Sequence, residues 1–283
     1  MSEHKPTLTP QCFRDLRDLI YERSGIFFTE SKHYLLEGRL EQRLQELKLE
    51  TFEDYYAFLR RGSGQADELK KLYNLITINE TYFFRYMKQL EVFSKVLLPN
   101  LMKARKGDLI RKIKIWSAGA ASGEELYTLA MLMRESINGQ MVNWKIDLLG
   151  TDISTQILDS AREAAYGRNS FRGTSTAYYK SKYFDTLEDS LKIKAEIRAM
   201  VKFDYLNLSE IDAIKKHRGV DFLFCRNVLI YFDQAMKEKV VQAFYNILNP
   251  GGYLFLGEAE SLHGVSSDFK VEHFPGAFVY RKE

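Results

Sequence analysis

Cysteine is nearly absent from this chain of 283 residues: Cys12 and Cys225 are the only two. That excludes a disulfide framework and a thiolate zinc site, and both read as free thiols of a reducing compartment. No uninterrupted apolar run approaches the ~20 residues that span a bilayer. The opening MSEHKPTLTP also lacks a basic stretch leading into an apolar one. The expectation is a cytoplasmic protein with no direct membrane insertion. An excess of one charge is missing too. Lys and Arg number 41 against 38 Asp and Glu, a net +3, and the signs interleave, so no long cationic face points to nucleic acid. Internal repeats and low-complexity tracts are absent as well. What is present, 45% hydrophobic and 28% charged residues, is the composition of a folded protein with a sizeable core.

Residues 10 to about 79 carry helical periodicity. QCFRDLRDLIYERSG sets Phe13, Leu16, Leu19 and Ile20 on one face and stops at Gly25, a C-cap. KHYLLEGRLEQRLQELKL repeats the pattern with Leu36, Leu40, Leu44 and Leu47. TFEDYYAFLRRG opens on Thr51 as N-cap with Asp54 three residues on, and SGQADELKKLYNLI is a fourth helix. After residue 110 strands alternate with helices: IRKIKIWSAGA, EELYTLAMLMRES, WKIDLLGTD, TQILDSAREAAYG, then MVKFDYLN, GVDFLFCRN, DQAMKEKVVQAFYNIL and GYLFLGE. Such alternation means βαβ units and a parallel sheet covered on both faces. FKVEHF and AFVYRK close the chain as an antiparallel pair at one edge. Residues 168–200 are too long and too polar for a plain connection and read as an inserted subdomain with alternation around Leu191 to Ile197. The predicted division is a helical domain over 1–78, a linker and lid over 79–112, and the α/β domain over 113–283.

Several motifs could bind a ligand. WSAGAASGEE is a turn of small residues running into a helix, where the backbone can approach a ligand and free N–H groups are on offer. It does not make GxGxxG, and Glu124 and Glu125 oppose a pyrophosphate, so a cationic or polyhydroxylated cofactor suits it better. An ordinary βα turn whose acids favour the helix dipole remains open. Asp152, at a strand end in LGTDIS, is placed to receive a ribose or to cap the next helix. NPGGYLFLGE after a long helix is an arrangement recurrent in Rossmann-like methyltransferases. CRNVLIYF lacks the Asn/Asp-Pro-Pro-Tyr sequence of many amine methylators and offers Arg226, Asn227 and Tyr231 instead, though a lone Tyr in an apolar run is often core. TINETYFFRY, residues 77–86, crowds polar groups, aromatics and a guanidinium into about two helical turns, with Asn79 also able to serve as an N-cap.

Taken together, LIYERSGI, EGRLEQRL, TINETYFFR, WSAGAASGEELYTLAM, TDIS, FDYLNL, FCRNVLIYFD and NPGGYLFLGEAESL run collinearly over nearly the whole chain. In them the chain resembles the chemotaxis receptor methyltransferases, the CheR family. The resemblance implies a Rossmann-like class I S-adenosylmethionine methyltransferase domain of α/β class with a small inserted subdomain, preceded by an all-α domain. It implies transfer of methyl groups to glutamate carboxylates of chemoreceptors, with S-adenosylhomocysteine as product. It further implies that Asn79, Thr81 and Arg85 contact the cofactor beside Gly119, that Glu125 and Asp152 hold its methionine or ribose portions, and that Asn207, Leu208, Arg226 and Asn227 line the adenosine side. Arg85 and Tyr231 then face the reacting methyl, with TINETYFFR as a lid anchored by Tyr82, Phe83 and Phe84.

An ionised glutamate needs no general base, so the lack of a His or Cys dyad agrees with this chemistry. Arg39 and Arg43, one helical turn apart, with Lys48 beyond, could form a basic strip that docks the cytoplasmic helical domain of a receptor; pairing with the interleaved Glu37, Glu41 and Glu46 is the alternative. The chain departs from the family in AGAASGEEL, which lacks a Cys and a Thr, and in GEAESL, where Glu258 replaces a His. YFDTLEDSLKI is compact where tether-gripping members carry a glycine-rich loop, so no receptor tether peptide is expected to bind. The competing readings are a methyltransferase with another substrate and a non-catalytic cofactor-binding signalling protein.

Overall fold

The computed structural model describes residues 6–61, 63–137, 144–172 and 176–283. Four helices build the N-terminal part: α1 (Pro10–Ser24), α2 (His33–Leu47), α3 (Phe52–Arg61) and α4 (Gln65–Ile76). Their ends follow local chemistry. Thr9 accepts from the Cys12 amide ahead of Pro10, and Gly25, at φ +71°, closes α1 onto the Tyr21 carbonyl. Thr51 and Asp54 exchange reciprocal bonds in a capping box at the start of α3. The apolar faces meet in one core that includes Phe13, Leu16, Leu36, Leu40, Phe52 and Leu72.

Residues 77–82 have no regular structure, 83–86 form a turn with Phe84 and Tyr86 at positive φ, and helix resumes with α5 (Met87–Val92), a π turn (Phe93–Leu97) and α6 (Leu98–Ala104). This corrects two expectations. TINETYFFRY is a strap ending in a turn, and no helix starts at Asn79, so the N-cap alternative does not hold. Residues 87–104 are not linker or lid: Phe93 is fully buried and meets Phe222, Phe224 and Phe255 edge-on, so the segment is a helical layer of the α/β core.

That core alternates β1 (Lys112–Ala118), α7 (Glu124–Ile137), β2 (Lys145–Asp152) and α8 (Thr155–Glu163). Next come β3 (Ala165–Tyr166), α9 (Ala177–Tyr183), β4 (Phe184–Thr186), β5 (Leu191–Ile193) and α10 (Ala195–Arg198). The chain finishes with β6 (Val201–Tyr205), α11 (Ile211–Ile214), β7 (Val220–Cys225), α12 (Gln234–Ile247), β8 (Leu248–Leu256), β9 (Phe269–Phe274) and β10 (Ala277–Lys282). Among the described residues the main sheet runs β6-β2-β1-β7-β8-β10-β9, parallel except where β10 pairs antiparallel with β8 and β9. The order reverses between β1 and β7, which opens a crevice at the carboxyl ends of those strands. The polar insertion builds its own sheet, β3-β5-β4, and the alternation around residue 191 stops at Ile193, where a helical turn takes over.

Arg43 does not lie on a basic strip. It is 5% exposed, and its guanidinium pairs with the buried Glu68 at 2.6 Å and with Glu46, while the Tyr55 hydroxyl donates to Glu68 at 3.0 Å. An arginine whose stem lies against a helical core stays charged there only because carboxylates meet it. Arg43→Met leaves Glu68 buried without its cation and is expected to cost about 3–5 kcal/mol of unfolding free energy, with a substantial part recovered in Arg43→Met/Glu68→Leu. Urea unfolding of the two variants measures this.

Candidate functional site

Loops after four neighbouring parallel strands meet in a cleft of about 1300 Å³, part of it open to solvent. Gly119–Ala121 follow β1, Asp152 and Ile153 end β2, Leu206–Leu208 follow β6, and Arg226–Val228 follow β7. The strap from Thr77 to Arg85 crosses above them, and Ser24 and Ile26 after α1 form the far wall. Asn79, Thr81, Arg85, Gly119, Glu125, Asp152, Asn207, Leu208, Arg226, Asn227 and Tyr231 all line this one space. Arg39, Arg43 and Lys48 do not.

The turn after β1 needs its small residues. Gly119 has φ +81°, and a Cβ there would lie 2.4 Å from a methyl of Val228. Ala121, also at positive φ, donates its amide to the Asp152 carboxylate at 2.9 Å. The other Asp152 oxygen accepts from the Ser154 amide, and burial pushes the carboxyl upward against those two bonds. Ser154, not Asp152, caps α8. The two adjacent glutamates part company. Glu124 turns inward to the hydroxyls of Ser122 and Ser170, with its pKa raised by burial, whereas Glu125 faces the cleft and accepts from the Ser117 hydroxyl at 2.7 Å.

Arg226, 7% exposed, reaches Glu125 at 3.2 Å and the Arg85 carbonyl at 2.6 Å, and its buried Nε has no hydrogen-bond partner among the described residues. Burial lowers its pKa, and Glu125 pulls it back up. Arg226, which the resemblance put with the adenosine side, is paired with Glu125. Asn207 is committed elsewhere, its amide donating to the Arg23 carbonyl at 2.7 Å and its oxygen accepting from Ser209.

The strap is held by aromatics. Phe83 stacks on Phe171 and meets Tyr166 and Phe184 edge-on, and Phe84 lies against Tyr179. Tyr82 is not a buried anchor: it is partly exposed, with the guanidiniums of Arg85 and Arg172 at its ring. Arg85 donates to the Glu80 carbonyl at 2.9 Å. Tyr231 stands opposite, its hydroxyl 3.5 Å from the Ile78 carbonyl. Arg39, half-buried and bonded to the Ile76 carbonyl, faces Tyr231 instead of joining a surface strip.

Glu260 is the residue the sequence did not disclose. Its buried carboxylate accepts from the amides of Asn227 at 2.6 Å, Gly257 at 2.7 Å and Ile230 at 3.3 Å, and so fixes the loop that carries Arg226 and Tyr231, with Asn227 at φ +61°. The available signal was one of two acids in GEAES, of which Glu258 is exposed and Glu260 buried.

This lining fits S-adenosylmethionine. A zwitterionic amino-acid end would find both a buried cation, in Arg226, and a carboxylate, in Glu125. Asp152, at a strand end, suits ribose hydroxyls, and Ile153, Leu206 and Leu208 offer apolar surface for a base.

Comparison with known proteins agrees. The family model for the CheR methyltransferase SAM-binding domain matches residues 79–278, and that for the CheR all-alpha domain matches 11–77. The chain is 37% identical to "Chemotaxis protein methyltransferase 2" of Vibrio cholerae over 97% of its own length and 94% of the relative's. It is 35% identical to "Chemotaxis protein methyltransferase" of Borreliella burgdorferi over 87% and 86% of the two chains. It is also 30% identical to "Chemotaxis protein methyltransferase 1" of Pseudomonas aeruginosa over 95% and 97%. With S-adenosylmethionine as cofactor, Gly119→Ala combines a clash with left-handed strain of about 1–2 kcal/mol. Calorimetric titration is expected to show S-adenosylhomocysteine bound about tenfold or more weakly by this variant, with the fold retained. Both domain models and these relatives place the chain in the CheR methyltransferase family.

Proposed function

We propose that this protein transfers the methyl group of S-adenosylmethionine to glutamate side chains of chemoreceptors, giving methyl esters in chemotactic adaptation. One observation carries the chemistry: Arg85 and Tyr231 stand at a cofactor cleft whose described lining contains no histidine or cysteine. The chemotactic setting rests on the names of relatives that match nearly the whole chain.

S-adenosylmethionine, when bound, supplies an electrophilic methyl group. A glutamate side chain, with a pKa of about 4.3, is already ionised at neutral pH, so the cleft has no proton to remove. The chain's task is placement, and good orientation recovers roughly 7–11 kcal/mol of a barrier. Asp152 would hold the ribose hydroxyls, and Glu125, Arg226 and Arg85 the charged amino-acid end, with Asn79 and Thr81 over it and Asn207, Leu208 and Asn227 around the nucleoside. A guanidinium has five N–H donors, and the Glu80 carbonyl takes one of Arg85's, so others can steer an incoming carboxylate. Too tight a grip on the nucleophile would slow attack, which favours a single-point hold. Burial holds the Tyr231 pKa above its usual value, although Arg39 and Arg85 pull it down, so the hydroxyl stays protonated and donates.

The acceptor is the cytoplasmic helical domain of a receptor, and the protein works in the cytoplasm. Leu187–Ser190, the short loop between β4 and β5, leaves no glycine-rich grip for a receptor tether peptide.

The test is transfer of labelled methyl to membranes bearing the organism's own chemoreceptors, followed by mild alkali. Release of the label as methanol is expected, at equal rates from receptors with and without their C-terminal peptide. Alkali-stable label moves the acceptor to nitrogen or carbon, and cofactor binding without label favours a non-catalytic signalling protein. A flat kcat/KM from pH 6.5 to 9 is also expected, because the acceptor is deprotonated below that range and Tyr231 loses its proton above it. A limb near pH 7 would instead reveal a general base.

A further inference from the structure

Three short segments converge on Tyr231. The Phe27 amide donates to the Tyr231 carbonyl at 2.9 Å, Ile26 bridges antiparallel to Phe232, and the Tyr231 hydroxyl approaches the Ile78 carbonyl. Each contributes one exposed apolar residue. Ile26, Phe28, Ile76 and Phe232 are buried, while Phe27, Ile78 and Ile230 are 41%, 47% and 49% exposed. All three are large and apolar, and each adjoins Tyr231 through the backbone: Ile230 precedes it, the Phe27 amide bonds its carbonyl, and the Ile78 carbonyl faces its hydroxyl. A single exposed apolar residue needs no explanation, but a cluster at the mouth of a cleft does.

We propose that Phe27, Ile78 and Ile230 form a seat for apolar side chains flanking the target carboxylate on an amphipathic substrate helix. The inference rests on the methyl-acceptor reading above and says which acceptors the site takes. Charge complementarity selects the occupant. The seat lies beside Tyr231, where the field of Arg39 and Arg85 outweighs that of Glu80 and of Glu260, whose carboxylate already accepts three amides, so its centre suits an anion and its rim suits hydrocarbon. On a helix, residues three and four positions from a glutamate share its face, and one helical turn therefore presents that combination. An extended acidic peptide would set further charges against the rim, at a desolvation cost. The seat thus selects among glutamates by their helical neighbours.

The test uses the full chain and the cytoplasmic domain of one of the organism's receptors. Phe27→Ser/Ile78→Ser/Ile230→Ser is expected to raise KM for the receptor domain at least tenfold, with the affinity for S-adenosylhomocysteine within twofold of wild type. If the triple variant does not fold, Ile230→Ser alone is expected to raise KM about threefold. Aspartate placed three or four residues from the target glutamate should raise KM for the wild type and add little for the triple variant, as coupled pairs do in a double-mutant cycle. Unchanged KM overturns the seat, and so does a parallel loss of cofactor affinity, which would assign these side chains to the cofactor. A wild-type protein that methylates no receptor overturns the parent reading and the seat with it.

Discussion

The buried guanidinium of Arg226 holds together parts of the chain that are distant in sequence. It bonds the carboxylate of Glu125 at the start of α7 and the carbonyl of Arg85 in the strap, from a position just past the end of β7. A charge at that depth is tolerated only with partners, and each partner is itself on the cleft wall. The carboxyl end of β7, the helix start and the strap are therefore set relative to one another by one side chain. Glu260 completes the arrangement from behind, taking the amides of the Arg226–Tyr231 loop, so the guanidinium and the Tyr231 hydroxyl share a single rigid support.

The helical domain is a structural wall of the same cleft. Its own core is separate from the two that cover the sheet, yet Ile153 at the end of β2 packs into it. Polar ties add direction. Tyr21 donates to Asp233, the cap of α12; Asn207 donates to the Arg23 carbonyl; and Asn74 accepts from the Ser154 hydroxyl, the cap of α8. Two helix caps of the α/β domain are thus bonded to the helical domain. The cleft exists because the two parts are packed in one orientation, which also brings the Phe27 amide to the Tyr231 carbonyl.

Periodicity made much of the fold legible. Leu36, Leu40 and Leu44 at helical spacing, the Thr51 and Asp54 pair, the alternation that turns apolar in β1 and the largely apolar β7 are local signals, and each produced the element it specifies. The polar length after residue 168 foretold a departure from the main sheet. Elsewhere the local signal pointed the wrong way. The crowded polar and aromatic stretch at 77–86 resembles helix because nothing in its own order reveals that Phe83 and Phe84 are drawn into pockets of the inserted subdomain. Met87 to Ala104 looked like connection because its partners, Phe222, Phe224 and Phe255, lie more than a hundred residues later.

The sequence by itself determined most of the elements, their order, the family and a set of residues that line one cleft, because caps, periodicity and collinear motifs are encoded in short stretches of neighbours. Tertiary structure alone decided which way each charged side chain faces. Glu124 and Glu125 are adjacent and chemically identical, yet one is spent on Ser122 and Ser170 while the other meets the cleft. Arg39 and Arg43 share a helix face in the sequence pattern, yet Arg43 is drawn inward by Glu68 and Arg39 toward Tyr231. The physical reason is that a charge settles where its desolvation is best compensated, and the compensating partner comes from a distant part of the chain.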